Sequence, residues 1–312
     1  MKIKAIVLLL ILFPIFVGAK NLIDTTPPIR NIINSLSKSP IYLEKNGDSF
    51  SCYKPATFSF LSHIPGDAVG YVRQSFKKEN FSKLAIVAAS TGILLAFDQQ
   101  ITNGVQTFTS HHGIDGRESY SPLIQVNLFG KSTKLMKWPN NINTAFYNFG
   151  QGSSVVYMAA GFLLAGKIKN DPRALQTASQ LVQSFLALGV GTQLLKYSTG
   201  RENPSDATVT GGRWRPFPSV SDFQNNKPKY DAYPSGHLAT FVSAVTIVSE
   251  NYPRKRWIKP VGYSIAGLLS FSMVNNGVHW ASDFPLGFAL GYGYGKYIAK
   301  KNKHLLRTPV KL

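Results

Sequence analysis

The chain has 312 residues, 44% of them hydrophobic, and 34 Lys and Arg against 15 Asp and Glu, for a formal net charge of +19. With a mean hydropathy of −0.04 it is too polar for a polytopic transporter and too apolar for a disordered chain, and its length admits one large domain or two small ones. The charge calls for an anionic partner, a phosphorylated substrate or an anionic membrane surface. Nucleic acid is not expected, because the basic residues are scattered and no nucleic-acid module signature accompanies them.

In chain order, Met1 to Ala19 reads as a signal peptide: Lys2 and Lys4 precede an apolar run from Ala5 to Val17, and Val17-Gly18-Ala19 offers a small-residue cleavage site. An uncleaved anchor is the competing reading. Residues 20–81 form a polar, turn-rich leader, and the lone Cys52 excludes an intrachain disulfide and is read as a packed thiol. Ser82 to Phe97 is an apolar helix. Asp98 to Asn143 reads as a long polar surface loop. Within it His111, His112 and Asp115 do not make a metal site, since adjacent residues point to different faces and no second ligand pair follows at suitable spacing.

Helical patterns then follow over 153–168, 173–195, 238–249, 259–274 and 285–299, the last with Gly287, Gly291 and Gly295 in a stripe that permits close helix packing. A loop rich in Gly, Pro, Asp and Arg fills 198–233, and no strand alternation of useful length is visible. The class is all-α, with about five to six core helices in a domain over 82–304 and a basic tail over 305–312. Each apolar core falls short of the ~20 residues a span needs, yet basic connections at Lys167, Lys169 and Arg173, at Arg254 to Arg256, and at Lys300, Lys301 and Lys303 favour a membrane-embedded bundle. With those connections cytoplasmic, 198–237 and 275–283 share the outer face. A soluble periplasmic bundle is the alternative. Either way the protein is expected in the cell envelope with its site facing the periplasm; its oligomeric state is not legible.

Three segments carry chemistry: Lys196-Tyr197-Ser198-Thr199-Gly200-Arg201-Glu202-Asn203-Pro204, Ala232-Tyr233-Pro234-Ser235-Gly236-His237, and Gly277-Val278-His279-Trp280-Ala281-Ser282-Asp283. Pro234 to Gly236 suits a loop turning into a helix whose free N–H groups and dipole attract an anion. His237 stands at that turn, where an imidazole can pass a proton to a bound oxyanion. His279 and Asp283 are four apart; on a helix they share a face, and the carboxylate can accept the Nδ1 proton and leave Nε2 as a nucleophile.

This set resembles the type 2 phosphatidic acid phosphatase family, whose fold is shared with bacterial non-specific acid phosphatases and vanadium haloperoxidases. The resemblance covers roughly residues 150–300. It implies a helical bundle of that type and a phosphatase acting on a phosphomonoester or pyrophosphate, of a membrane lipid or of a small molecule, through a phosphohistidine, with no cofactor and no metal. It assigns His279 as nucleophile, His237 as general acid and Asp283 as orienter, with Lys196, Ser235 and the Gly236 N–H on the phosphate. Two departures stand out. Asn203 and Met273 occupy the places of the family's two phosphate-clamping arginines, each an interaction type that contributes about 3–4 kcal/mol to transition-state binding. Arg201, two residues from the first lost position, is expected to reach the same phosphate. Arg213 and Arg215 read as a solvated basic loop. A phosphate- or phospholipid-binding member without turnover, and a vanadate-dependent haloperoxidase, stay open as alternatives.

Overall fold

A computed structural model describes residues 41–43, 49–52, 54–128, 131–301 and 303–306. The expected signal peptide, the first part of the leader and the end of the basic tail lie outside the described residues. Two short strands, β1 (Ile41–Leu43) and β2 (Ser49–Cys52), precede α1 (Ser59–Ser75) and α2 (Phe81–His111). A hairpin of β3 (Tyr120–Leu128) and β4 (Lys131–Pro139) leads to α3 (Ile142–Gly150), α4 (Gly152–Lys169) and α5 (Pro172–Thr199). After a long loop holding the short α6 (Val220–Asn225) come α7 (Gly236–Asn251), α8 (Ile258–Asn275), α9 (Phe284–Lys301) and β5 (Lys303–Leu306). The order β1-β2-β5 is a small antiparallel sheet that joins the two ends of the described chain. Cys52 is buried in it.

The expected class holds: the protein is a helical bundle. Its axis is α7, where Leu238, Phe241, Val242 and Val245 pack with Tyr147, Ala266, Leu269 and Met273 from α3 and α8. On the other side Ala244 and Ile247 meet Val155, Ala159 and Leu181 from α4 and α5. The glycine stripe sets α9 against α7. A Cβ at Gly291 would lie 2.3 Å from the Ala239 carbonyl oxygen, and one at Gly295 2.8 Å from that of Ser243. Gly291→Ala therefore forces the two backbones apart and is expected to lower stability by about 1–3 kcal/mol in thermal unfolding. Gly161→Ala, on an open face of α4, should be neutral or slightly stabilising.

Two expectations need correction. The helix expected over 82–97 runs on to His111, so the first part of the supposed loop is helical. The inward residues of α2 are Thr91, Asp98, Thr102 and Thr109, while Ile86, Ile93, Phe97 and Phe108 are exposed. Polar residues after Phe97 thus mark the face packed on the bundle, not the end of the helix. The rest of the supposed loop contains the β3–β4 hairpin. Ser121 to Gln125 are exposed on both faces of it, so no inside–outside alternation announces the strand. His111 and His112 close α2, each with Nδ1 2.8 Å from a carbonyl of the preceding turn.

Candidate active site

The site is assembled at one end of the bundle, where α5 and α8 finish and α7 and α9 begin. Asp171 caps α5 through the Arg173 N–H at 2.9 Å with Pro172 in the first turn, and the helix carries Lys196 in its last. Gly200 then turns the chain at φ 55°, with Arg215 O where a Cβ would stand. The next residues run between two other loop segments: Arg215 N donates to Gly200 O at 2.8 Å, Glu202 N to Arg213 O at 2.9 Å, and Ala232 N to Arg201 O at 3.0 Å. The long loop is thereby tied into a fixed frame around the motif residues.

Ser235 caps α7, accepting from Leu238 N at 3.3 Å, and places His237 in the first turn. A Cβ on Gly236 would lie 3.1 Å from Thr192 Oγ1 and 4.0 Å from Lys196 Cε, so the start of α7 lies close against the lysine. The His237 and His279 rings stand nearly perpendicular, 5.7 Å between centroids. Asp283 ends a single 3-10 turn (Ala281–Asp283) ahead of α9, and this turn, rather than α9 itself, brings the four-residue spacing into contact. His279 Nδ1 is 3.3 Å from Asp283 Oδ2, which also accepts from Trp280 N at 2.8 Å. His279 is 1% exposed, and its Nε2 is buried and makes no hydrogen bond. His237 Nε2 faces Tyr147 Oη at 3.3 Å, and its Nδ1 is likewise buried without a partner.

Electrostatically this is a buried site with a lysine inside it. Lys196 is 4% exposed, and its Nζ is 3.7 Å from Asp231 Oδ2. Burial pushes the His279 imidazole down to about 3, with Lys196 the next cause, while Asp231 and the Ala232 backbone pull the other way. Burial pushes His237 down to about 3 as well, helped by His279 and Lys196. Both rings are therefore neutral at pH 7. Burial raises Asp283 to about 6 against the opposing pull of Arg201.

The structure gathers Lys196, Ser235, Gly236, His237, His279 and Asp283 at this end of the bundle. It places Arg201 differently from the sequence expectation. Both of its amino groups are spent inside the protein, on Asp98, Asp283, Ser282 and the Gly211 carbonyl, and its side chain is fully buried. Arg215 is likewise spent, on Glu202 at 2.6 Å, and Arg213 is exposed. Ser235 Oγ donates to Met273 Sδ at 3.6 Å, and Asn203 Oδ1 is buried without a partner. Sequence reasoning missed Asp98, Ser282 and Tyr147. For Asp98 the available signal was a carboxylate directly after an apolar helical run.

Residues 177–304, which hold all three motifs, match the family model described as the PAP2 superfamily, and the resemblance read from those motifs stands over that segment. Among individual proteins, a stretch of 67 residues is 37% identical to the lipid A 1-phosphatase of Porphyromonas gingivalis. That stretch covers 21% of this chain and 15% of the relative, so the likeness is confined to a small part of that protein. No solved structure matches the chain.

Proposed function

We propose that this protein is a phosphatase that cleaves a phosphate ester or pyrophosphate of a membrane lipid through a phosphohistidine. The observation that carries the reading is His279: Nδ1 is held by a buried carboxylate and Nε2 is buried without a hydrogen-bond partner. The Nε2 lone pair forms the N–P bond as the P–O bond to the leaving group breaks, and His237 delivers a proton to the departing oxygen. A water then gives its proton to His237 and attacks phosphorus, the N–P bond breaks, and phosphate leaves with His279 restored. Lys196, the Gly236 N–H and Ser235 at the start of α7 hold the phosphoryl oxygens. This chemistry needs no cofactor and no metal.

A lipid substrate is supported by α2 and by the distribution of charge. The helix over Lys78–His111 is long and apolar enough to cross a membrane, and its large apolar side chains face outward. The basic connections at 167–173, 254–256 and 300–303 all lie at the end of the bundle opposite the site. In a membrane that asymmetry favours a site on the outer, periplasmic side. The name of the Porphyromonas gingivalis relative favours lipid A as the substrate to try first.

The test is detergent-solubilised full-length protein with lipid phosphates and p-nitrophenyl phosphate, with and without chelator. Phosphate release through an acid-labile, alkali-stable phosphoenzyme is the expected result; release without that intermediate would overturn the mechanism. The second reading, a phosphate binder without turnover, is favoured by Asn203 and Met273 and by the Ser235 hydroxyl being turned onto Met273 Sδ. Saturable sulfate or phospholipid binding with no release would establish it.

A further inference from the structure

Behind Asp283 lies a second layer of buried charge that the phosphoryl-transfer steps do not use. The Arg201 guanidinium lies 4.9 Å from the Trp214 ring centroid and 5.3 Å from that of Trp280. Its Nη1 donates to Asp283 Oδ1 at 2.5 Å and to Ser282 Oγ at 2.7 Å. Its Nη2 donates to Asp98 Oδ2 at 2.5 Å and to Gly211 O at 2.9 Å. Asp98 in turn accepts from the Ser282 hydroxyl at 2.5 Å and from the Ser282 N–H at 2.9 Å. Both carboxylates and the guanidinium are fully or almost fully buried.

Such an arrangement is costly. A carboxylate on a helix with an apolar outer side is expensive to bury unless paired, and replacing a buried ion pair by packed apolar groups is often neutral or stabilising. The geometry explains what the expense achieves. One carboxylate on a guanidinium leaves the fork free to swing. A second carboxylate on the other amino group, with Ser282 bridging the two, fixes its plane and so the rotation of Asp283. Asp283 Oδ1 is taken by Arg201, and Oδ2 is left for Trp280 N and His279 Nδ1.

We infer that Asp98, Arg201 and Ser282 are positioning residues for the nucleophile, a chain from α2 through Arg201 to Asp283 that fixes the tautomer and aim of His279. The inference rests on the phosphatase reading for its kinetic consequences, but not for its effect on the imidazole.

Arg201→Gln should lower kcat about 100-fold or more with KM within about threefold, because Asp283 is mis-set but no phosphate contact is lost. Loss of the cation beside Asp283 should also move the acid limb of the kcat profile upward by about one pH unit. Asp98→Asn should lower kcat about tenfold with KM unchanged and no upward movement of that limb, since a negative charge near Asp283 has gone. Ser282→Ala, the gentlest change, should lower kcat about threefold and still fold.

A readout free of turnover is the downfield Nδ1–H proton resonance of His279, identified by its absence in His279→Ala. It should be lost or broadened in Arg201→Gln and Asp98→Asn. Retention of that resonance with kcat within threefold of wild type overturns the inference, as does a rise in KM with kcat intact, which would make Arg201 a phosphate ligand. Should Arg201→Gln fail to fold, Asp98→Asn decides by the same readings. A wild-type protein that releases no phosphate would sink the phosphatase reading alone, and the resonance in the variants would still decide the positioning chain.

Discussion

His279→Ala is expected to abolish phosphate release, by about 10⁴-fold or more, and to abolish labelling of the protein by substrate phosphate. The loss should be catalytic and not structural. Asp283 would keep its bonds to Trp280 N and Arg201 Nη1 when the imbidazole is removed, so no buried carboxylate is stranded. Sulfate, which asks only for the anion-binding groups, should still bind within a few-fold of wild type. Residual turnover above a hundredth of the wild-type rate would mean that another group attacks phosphorus.

The second large effect is on pH. Burial holds both histidines down to about 3, against an ordinary value near 6.5. A dianion placed between them and Lys196 reverses the balance, because the charged imidazole is then the favoured form. Binding must therefore take up a proton at neutral pH. Sulfate does not titrate between pH 5 and 8, so its affinity should rise about tenfold for each unit of pH lowered, one proton being taken up per anion. Isothermal titration in buffers of different ionisation enthalpy counts that proton directly, and a pH-independent affinity would refute the uptake.

Stability without ligand should move the other way. A histidine whose folded value lies below its unfolded one binds fewer protons folded than unfolded, so its contribution is lost as pH falls below about 6.5. Asp283, raised to about 6, works in the opposite sense, gaining stability as pH falls from about 6 toward its unfolded value. Two histidines outweigh one carboxylate. The net is a loss of about 1 kcal/mol per pH unit between about 6 and 4 from these groups, which sulfate should reverse.

His279, His237 and Asp283, proposed as nucleophile, acid and orienter, could be picked out in the chain because each rests on local spacing. His279 and Asp283 are four apart, and Ser235, Gly236 and His237 lie at a helix start that the following apolar run announces. The glycine stripe of α9 was legible for the same reason, its period matching the turn of one helix. Arg201 was misread because its meaning lies in partners far along the chain: Asp98 is 103 residues away and Asp283 82. Proximity to the lost arginine position at Asn203 suggested a phosphate ligand, but a guanidinium goes where carboxylates await it. The extent of α2 was missed because its polar side faces protein, the reverse of an ordinary surface helix. The expectation that 98–143 is loop followed from that inversion and from a hairpin exposed on both faces.

That inverted helix bears on how divisible the protein is. The segment that carries the family's motifs begins at residue 177, yet Asp98 comes from α2 and Tyr147, against His237, from α3. A fragment cut to the motif-bearing helices would keep the groups proposed to attack and bind phosphate and lose the scaffolding of two of them. The transplantable unit is thus longer than the recognisable one, and shuffling or grafting this site into another chain would have to bring α2 and α3 along with it.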